Sequence, residues 1–423
     1  MLNYYPIGDI YDRNNPKLEK DYYSYLREKR MSKLKVVTIG KRRIGSLIFD
    51  SRLVIVLLLI PFFKNAFFDY FGKLSFVFNA LIFIESILFF LLCTQETRWN
   101  KYESCIFAFL IWTYFIAPLA HGHAAPSIFY FCEALGIISF FKMGFKYNRE
   151  NIIEAASNLF TVMVILNYAT LYIYPQGVGV EDGTSLYLFG LRTGFSLYII
   201  PGVLLNLLND IQNEKIFSVN TLLTIMFGTL ALLNKMVATG LLELIVIGGL
   251  YLVLNRPKMI EKFNIVIITL IFFVLDVSVT ILGSKFDILG IVAGLFGKDA
   301  TFSNRTFIWV KAVQKIASSP IFGSGADNLV SGGTHMLQAH NQWLNVIIEG
   351  GYVAFALFFI GLLISVLDLY KSKTKKWYKP LVICISAILI GSLAEIQTYV
   401  PFIYFIFDLP ILLRENKGEM KYA

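Results

Sequence analysis

Residues Gln338 to Tyr370 read QAHNQWLNVIIEGGYVAFALFFIGLLISVLDLY. A histidine and an asparagine stand side by side, a short apolar stretch follows, and a Glu-Gly-Gly step separates it from a second, longer one. Residues 352–370 carry a single charge, Asp368, near their far end. An α-helix needs about 20 such residues to cross roughly 30 Å of hydrocarbon. The stretch therefore predicts a membrane span, with a titratable, hydrogen-bonding pair placed just before it.

The same pattern recurs along the chain. Of the 423 residues 56% are hydrophobic and only 16% are charged, and the mean hydropathy is +0.63. The apolar residues come in blocks of span length. Twelve are predicted, at about 44–63, 74–94, 103–119, 126–142, 151–174, 187–208, 216–234, 236–254, 263–283, 352–370, 380–395 and 398–413. A membrane β-barrel would show short alternating segments instead. The fold class expected is all-α, a polytopic integral membrane protein. The long, charged N-terminus has no early apolar core, so no cleavable signal sequence is expected. Cys93, Cys105, Cys132 and Cys384 all fall inside apolar blocks and form no CxxC pair, which reads as packing.

Basic residues set the orientation, because Lys and Arg concentrate in short cytoplasmic loops. With the N-terminus inside, the short inner loops hold fourteen Lys and Arg, including Arg98, Lys101, Lys146 and the run from Lys371 to Lys379. The short outer loops hold three, Lys64, Lys73 and Lys235. Residues 1–43 then form a basic cytoplasmic segment, 44–283 carry spans 1–9, 284–351 form a large outer loop, 352–413 carry spans 10–12, and 414–423 form a cytoplasmic tail. The net charge of +9 is explained by this bias and by contact with anionic lipid head groups, with no nucleic-acid partner needed.

The outer loop ends at the opening stretch, so His340 and Asn341 are expected on the outer face. Within it, RTFIWVKAVQKIAS (Arg305 to Ser318) repeats apolar residues at helical spacing through Ile308, Ala312, Val313 and Ile316. The stretch after His340 predicts a second amphipathic helix lying against the membrane. Long ordered loops of this kind are usually functional.

Charges inside a membrane are costly and therefore informative. Arg192, in YLFGLRTGF, falls about five residues into span 6, roughly 7.5 Å deep at 1.5 Å per residue. Its plain reading is an arginine snorkelling to head groups. Its functional reading is a fixed cation for a diphosphate, whose oxygens the guanidinium fork matches. Arg305 opens the loop helix, where the helix dipole mildly disfavours a cation unless an anion is near. His340 is either a structural histidine or a general base, the role imidazole suits best near neutral pH. Asn341 either orients that ring or caps the next helix. FGSG, with Gly323 and Gly325, lacks the form of a dinucleotide fingerprint. His121 and His123 have no third ligand nearby in sequence, so no metal is expected.

Together these elements resemble the O-antigen polymerase and O-antigen ligase superfamily. Its large outer loop looks like R-x(3)-W, then P-x-x-G-x-G, then H-N-x-x-L, then a glutamate and glycine. Here the run is RTFIW (Arg305 to Trp309), PIFGSG (Pro320 to Gly325), HNQWL (His340 to Leu344) and EGG (Glu349 to Gly351). RTG (Arg192 to Gly194) fits the family's further arginine element. One departure is NKMVATGLL, which has Ala238 where many members carry a basic residue; Lys235, one turn earlier, is the candidate replacement.

The resemblance implies a metal-independent glycosyltransferase that needs no cofactor. Its substrate would be an undecaprenyl-diphosphate-linked oligosaccharide at the outer leaflet of a bacterial cell (inner) membrane. Arg192 and Arg305 would bind the diphosphate, and His340 would take the proton from the attacking hydroxyl. Asn341, Gly323, Gly325, Lys235 and Trp309 would complete the substrate site, and a polysaccharide flippase and chain-length regulator would be partners. Polymerase and ligase share these motifs. The Lys-, Ile- and Phe-rich composition favours a bacterium without an outer membrane, and so a capsule or exopolysaccharide polymerase. A transporter would instead show an internal repeat and charges near the midplane.

Overall fold

The computed structural model describes residues 45–121, 128–181, 184–282, 305–325 and 339–415. Helix falls within every predicted apolar block, though not over the whole of each. A helical stretch over residues 45–50 leads into α1 (Arg52–Leu59), whose N-cap Ser51 accepts from the Val54 amide. Then come α2 (Gly72–Glu96), α3 (Lys101–Ile111), α4 (Ile128–Ile173), α5 (Phe195–Gln212) and α6 (Val219–Asn234). After them follow α7 (Ala238–Val253), α8 (Ile265–Leu282), α9 (Arg305–Ser318), α10 (Gln342–Lys371), α11 (Tyr378–Gly391) and α12 (Phe402–Glu415). Among the described residues five helices are long and apolar enough to cross a membrane: Gly72–Glu96, Lys101–Ala120, Ile128–Ile173, Arg192–Gln212 and Gln342–Lys371. Five shorter apolar helices accompany them. The molecule is a helical membrane protein.

Two long helices are broken where the sequence demands it. Helix α4 spans two predicted blocks and leaves helical geometry at Asn148, with φ −154° and ψ 85°. The Asn148 side chain accepts from the Asn151 amide at 3.1 Å, so the break is also the cap of the second half. Helix α10 breaks at Gly351, at φ 68° and ψ −170°. Only glycine adopts that region readily.

Helix α4 packs against α2, α5 and α6; α3 and α12 pack against α10; α7 and α8 pack against α11. Aromatic rings fill the joints, as where Phe63 meets Phe160 and Phe402 at 4.7 and 5.0 Å. A polar lock ties α3, α4 and α12 at one end. Lys142 pairs with Glu103 and donates to the Arg98 carbonyl at 2.7 Å, and Asn100 Nδ2 donates to Asp408 at 2.9 Å. The lock pairs Lys142 with Glu103 and gives Asp408 a donor, which offsets part of the cost of burying these groups.

Two expectations change. The predicted sixth span begins too early, because residues before Phe195 form a small antiparallel sheet: β1 (Val180–Glu181), β2 (Thr184–Tyr187) and β3 (Gly190–Leu191). Gly190, at φ 78°, allows the tight turn from β2 to β3. The all-α reading thus holds apart from this hairpin. The segment Gln342–Gly350 does not lie on a surface as an amphipathic helix would. It is buried nearly all round, and its polar Gln342, Asn345 and Glu349 are inside as well. Apolar positions on more than one face, with hydrogen-bonded polar residues between them, make it an interior helix.

Candidate functional site

The site is built around the turn that starts α10. His340 is half-buried and adopts φ 48°, a left-handed conformation. Non-glycine residues visit that region seldom, histidine somewhat more than most. Such a conformation persists only where its surroundings over-determine it, and here they do. On one side the Trp309 indole N–H donates to the Ala339 carbonyl at 3.0 Å. On the other, the Gln342 amide donates to the Ser392 carbonyl at 2.9 Å, and Gln342 Oε1 accepts from the Gln397 and Thr398 amides at 2.6 and 3.0 Å. Between them Asn341 caps α10, its Oδ1 accepting from the Leu344 amide at 2.9 Å. Asn341 Nδ2 donates to Asp276 Oδ1 of α8 at 2.6 Å. Asn341 therefore does cap the helix, as the sequence allows, and it also reaches a carboxylate that sequence reasoning missed.

Helix α9 is seated on this turn by a small apolar cluster of Trp309, Ala312, Ile316, Ala339, Leu344 and Ile348. Ile308, Ala312 and Ile316 are buried on one stripe, as their spacing predicts. Val313 is exposed and faces a cavity of about 360 Å³ between α8, α9 and α10, with Asp276 as its carboxylate. Arg305 opens α9; its side chain, like His335 and His123, lies outside the described residues.

The glycine motif serves the backbone. Ser324 and Gly325 amides donate to the Ile348 and Glu349 carbonyls at 2.6 and 3.0 Å, and the Tyr352 amide donates to the Pro320 carbonyl at 2.7 Å. A Cβ on Gly323 would sit 2.5 Å from the Gly351 nitrogen, and one on Gly351 would sit 2.1 Å from the Ile321 carbonyl oxygen. The turn after α9 is thus pressed into the break of α10. This placement gives Gly323 a packing role; Gly325, at φ 80°, serves the same turn. His121 Nε2 lies 2.6 Å from the Gly323 carbonyl and 3.2 Å from the Ser319 hydroxyl, so it fastens the turn. Among the described residues no group of three His, Cys, Asp or Glu could hold a metal ion.

Arg192 stands in a 3-10 turn (Arg192–Gly194) that opens the span Arg192–Gln212, not about five residues into it as expected. Its side chain is exposed and has no ion pair among the described residues. The backbone before it is pinned: Asn167 Oδ1 accepts from the Phe189 amide at 3.0 Å, and Asn65 Nδ2 donates to the Leu188 carbonyl at 2.7 Å. A fixed backbone with a free guanidinium suits recognition of an anion. Lys235 ends α6 and turns back to this hairpin, 4.5 Å over the Tyr187 ring and 3.3 Å from the Pro175 carbonyl. Lys235 and Arg192 therefore share one hairpin.

The two halves meet through α5. Ser196, one turn after Arg192, shares a small cavity with Gln397, and Gln397 bonds Gln342. The structure thus links the Arg192 hairpin to the His340 turn. Several buried carboxylates escaped the sequence reading: Glu85, Glu133, Glu243 and Asp276. Each interrupts an otherwise apolar block, which is the signal that could have found them.

Residues 222–359 match a family model described as O-antigen ligase. The matched region runs from α6 into α10. It contains Lys235, Arg305, Trp309, Gly323, Gly325, His340 and Asn341, and it leaves out Arg192. The match supports the O-antigen ligase and polymerase superfamily. No curated protein and no solved structure matches the chain.

Proposed function

We propose that the chain polymerises polyprenyl-diphosphate-linked oligosaccharide repeat units at the outer leaflet. The acceptor hydroxyl oxygen attacks the anomeric carbon of the donor sugar while the bond to the diphosphate oxygen breaks, so the configuration inverts. His340 accepts the hydroxyl proton. Arg192 and Arg305 hold the diphosphate and stabilise the charge it gains on leaving, which is electrostatic preorganisation in place of a metal. Asn341, Trp309 and Lys235 support the site in the ways their contacts allow. In this reading both termini are cytoplasmic and residues 284–351 lie outside.

The observation that carries the reading is the strained His340 turn, clamped from both sides inside the family-matched region. Strain at a non-glycine residue points from an observed outlier to function. Ligase activity, transfer of a finished chain to a lipid acceptor, is the second reading, favoured by the description of the matched family.

General-base catalysis contributes about 10²–10⁴-fold. His340→Ala is therefore expected to cut single-turnover glycosyl transfer by that range in protein that still inserts and unfolds at the usual temperature. His335→Ala, five residues upstream and outside the His-Asn element, is the control and is expected to cost much less. Full turnover in His340→Ala, or greater damage from His335→Ala, would mean that the base is another residue.

A further inference from the structure

We propose that Asp276 is a positioning residue for the His340 turn, acting through Asn341. The proposal rests on the glycosyl-transfer reading above for its activity assay and on geometry for the rest. Helix α8 reads IVIITLIFFVLDVSVTIL, and Asp276 is the only charged residue in it. A carboxylate so placed is costly, and a functional partner is its ordinary justification. The partner is Asn341. Asp276 is buried, and its Oδ1 accepts from Asn341 Nδ2 at 2.6 Å, across 65 residues of sequence.

That bond decides how the Asn341 amide is oriented. With Nδ2 drawn to Asp276 and to the Leu393 carbonyl at 3.4 Å, Oδ1 is left facing the Leu344 amide that it caps. An amide turned the other way would place a donor against a donor at the cap and an acceptor against a carboxylate. Asn341 is the residue after His340, so fixing its side chain and cap fixes the peptide that leads out of His340 at φ 48°. Asp276 thus fixes, through Asn341 and from a neighbouring helix, the backbone that carries the imidazole. The cavity beside it, of about 360 Å³, leaves room for a larger apolar side chain at this position.

The test is a set of variants in full-length protein reconstituted in vesicles with lipid-linked oligosaccharide. Asp276→Leu removes the acceptor and is expected to lower kcat roughly 10- to 100-fold, the scale of a small misplacement of a catalytic group, with KM within about twofold. Asp276→Asn keeps an acceptor oxygen and is expected to restore most of that turnover. In an Asn341→Ala background, Asp276→Leu is expected to add little, because both changes break one linkage. Equal losses in the leucine and asparagine variants would overturn the proposal in favour of a role for the charge. So would additive losses with Asn341→Ala.

Hydrogen exchange of the peptide over residues 341–346 gives a readout that needs no activity. The amides there are expected to exchange several-fold faster in Asp276→Leu than in Asp276→Asn, roughly the factor that a weakened helix cap allows. If wild-type protein extends no oligosaccharide, the reading of function fails, and the exchange comparison still decides the positioning role. Equal exchange in the two variants would overturn it.

Discussion

At the residue scale, position and pairing separate side chains that the sequence alone treats alike. Arg192 and Arg414 are both arginines near helix ends, yet Arg414 pairs with Asp368 at 2.8 Å while Arg192 is exposed beside a pinned hairpin. Arg192→Lys keeps the charge and loses the planar fork. It is expected to reduce glycosyl transfer strongly while thermal unfolding stays unchanged, and a variant with normal turnover would remove the arginine from the diphosphate clamp. Gly351 makes the opposite case. Alanine there would combine a glycine-only conformation with a 2.1 Å approach to the Ile321 carbonyl. Gly351→Ala is expected to cost about 1–3 kcal/mol or more, measured as a lower unfolding temperature. Both positions stood out in the sequence as motif letters. What each does was not legible there, because conformation and neighbours decide it. Asp276 was legible in principle, as a lone charge in an apolar block.

At the element scale, hydropathy located the helices well and their ends poorly. The break at Asn148 fell between two predicted blocks because a charged stretch, KYNRE (Lys146 to Glu150), lies there. The hairpin before α5 was missed because Leu186, Leu188, Phe189 and Leu191 are apolar enough to pass for helix, and only Gly190 marks the turn. Helix Gln342–Gly350 was placed at a surface because its polar residues look like a wet face; they turn inward to Thr398 and Tyr399 instead. Helix α9 shows how an element can matter through one bond. Trp309→Phe keeps the apolar contact and removes the donor to Ala339. Leaving a buried carbonyl unpaired costs about 1–3 kcal/mol. Turnover is expected to fall in this variant while its insertion stays normal, and unchanged turnover would show that α9 does not hold the His340 turn.

At the scale of the whole molecule, Arg192 and Lys235 share one hairpin, and a chain of neighbours through Ser196, Gln397 and Gln342 joins that hairpin to the His340 turn. Under the proposed orientation the hairpin and the His340 turn face outside: a tag at either terminus is then expected inside the cell, and a cysteine at Asp327 is expected to react with an impermeant probe on intact cells. Reaction only after permeabilisation would reverse the orientation. The helical class and the match over residues 222–359 agree with the sequence reading. The buried Glu85 and Glu133 belong to the pattern that transport would predict, and extension of sugar chains separates transport from polymerisation. The most direct measurement supplies purified protein in vesicles with labelled lipid-linked repeat units and a chelator. The account predicts a ladder of longer lipid-linked chains that the chelator leaves intact and whose formation His340→Ala slows by about 10²–10⁴-fold. Label that crosses the bilayer with its chain length unchanged, and with no ladder, would contradict it.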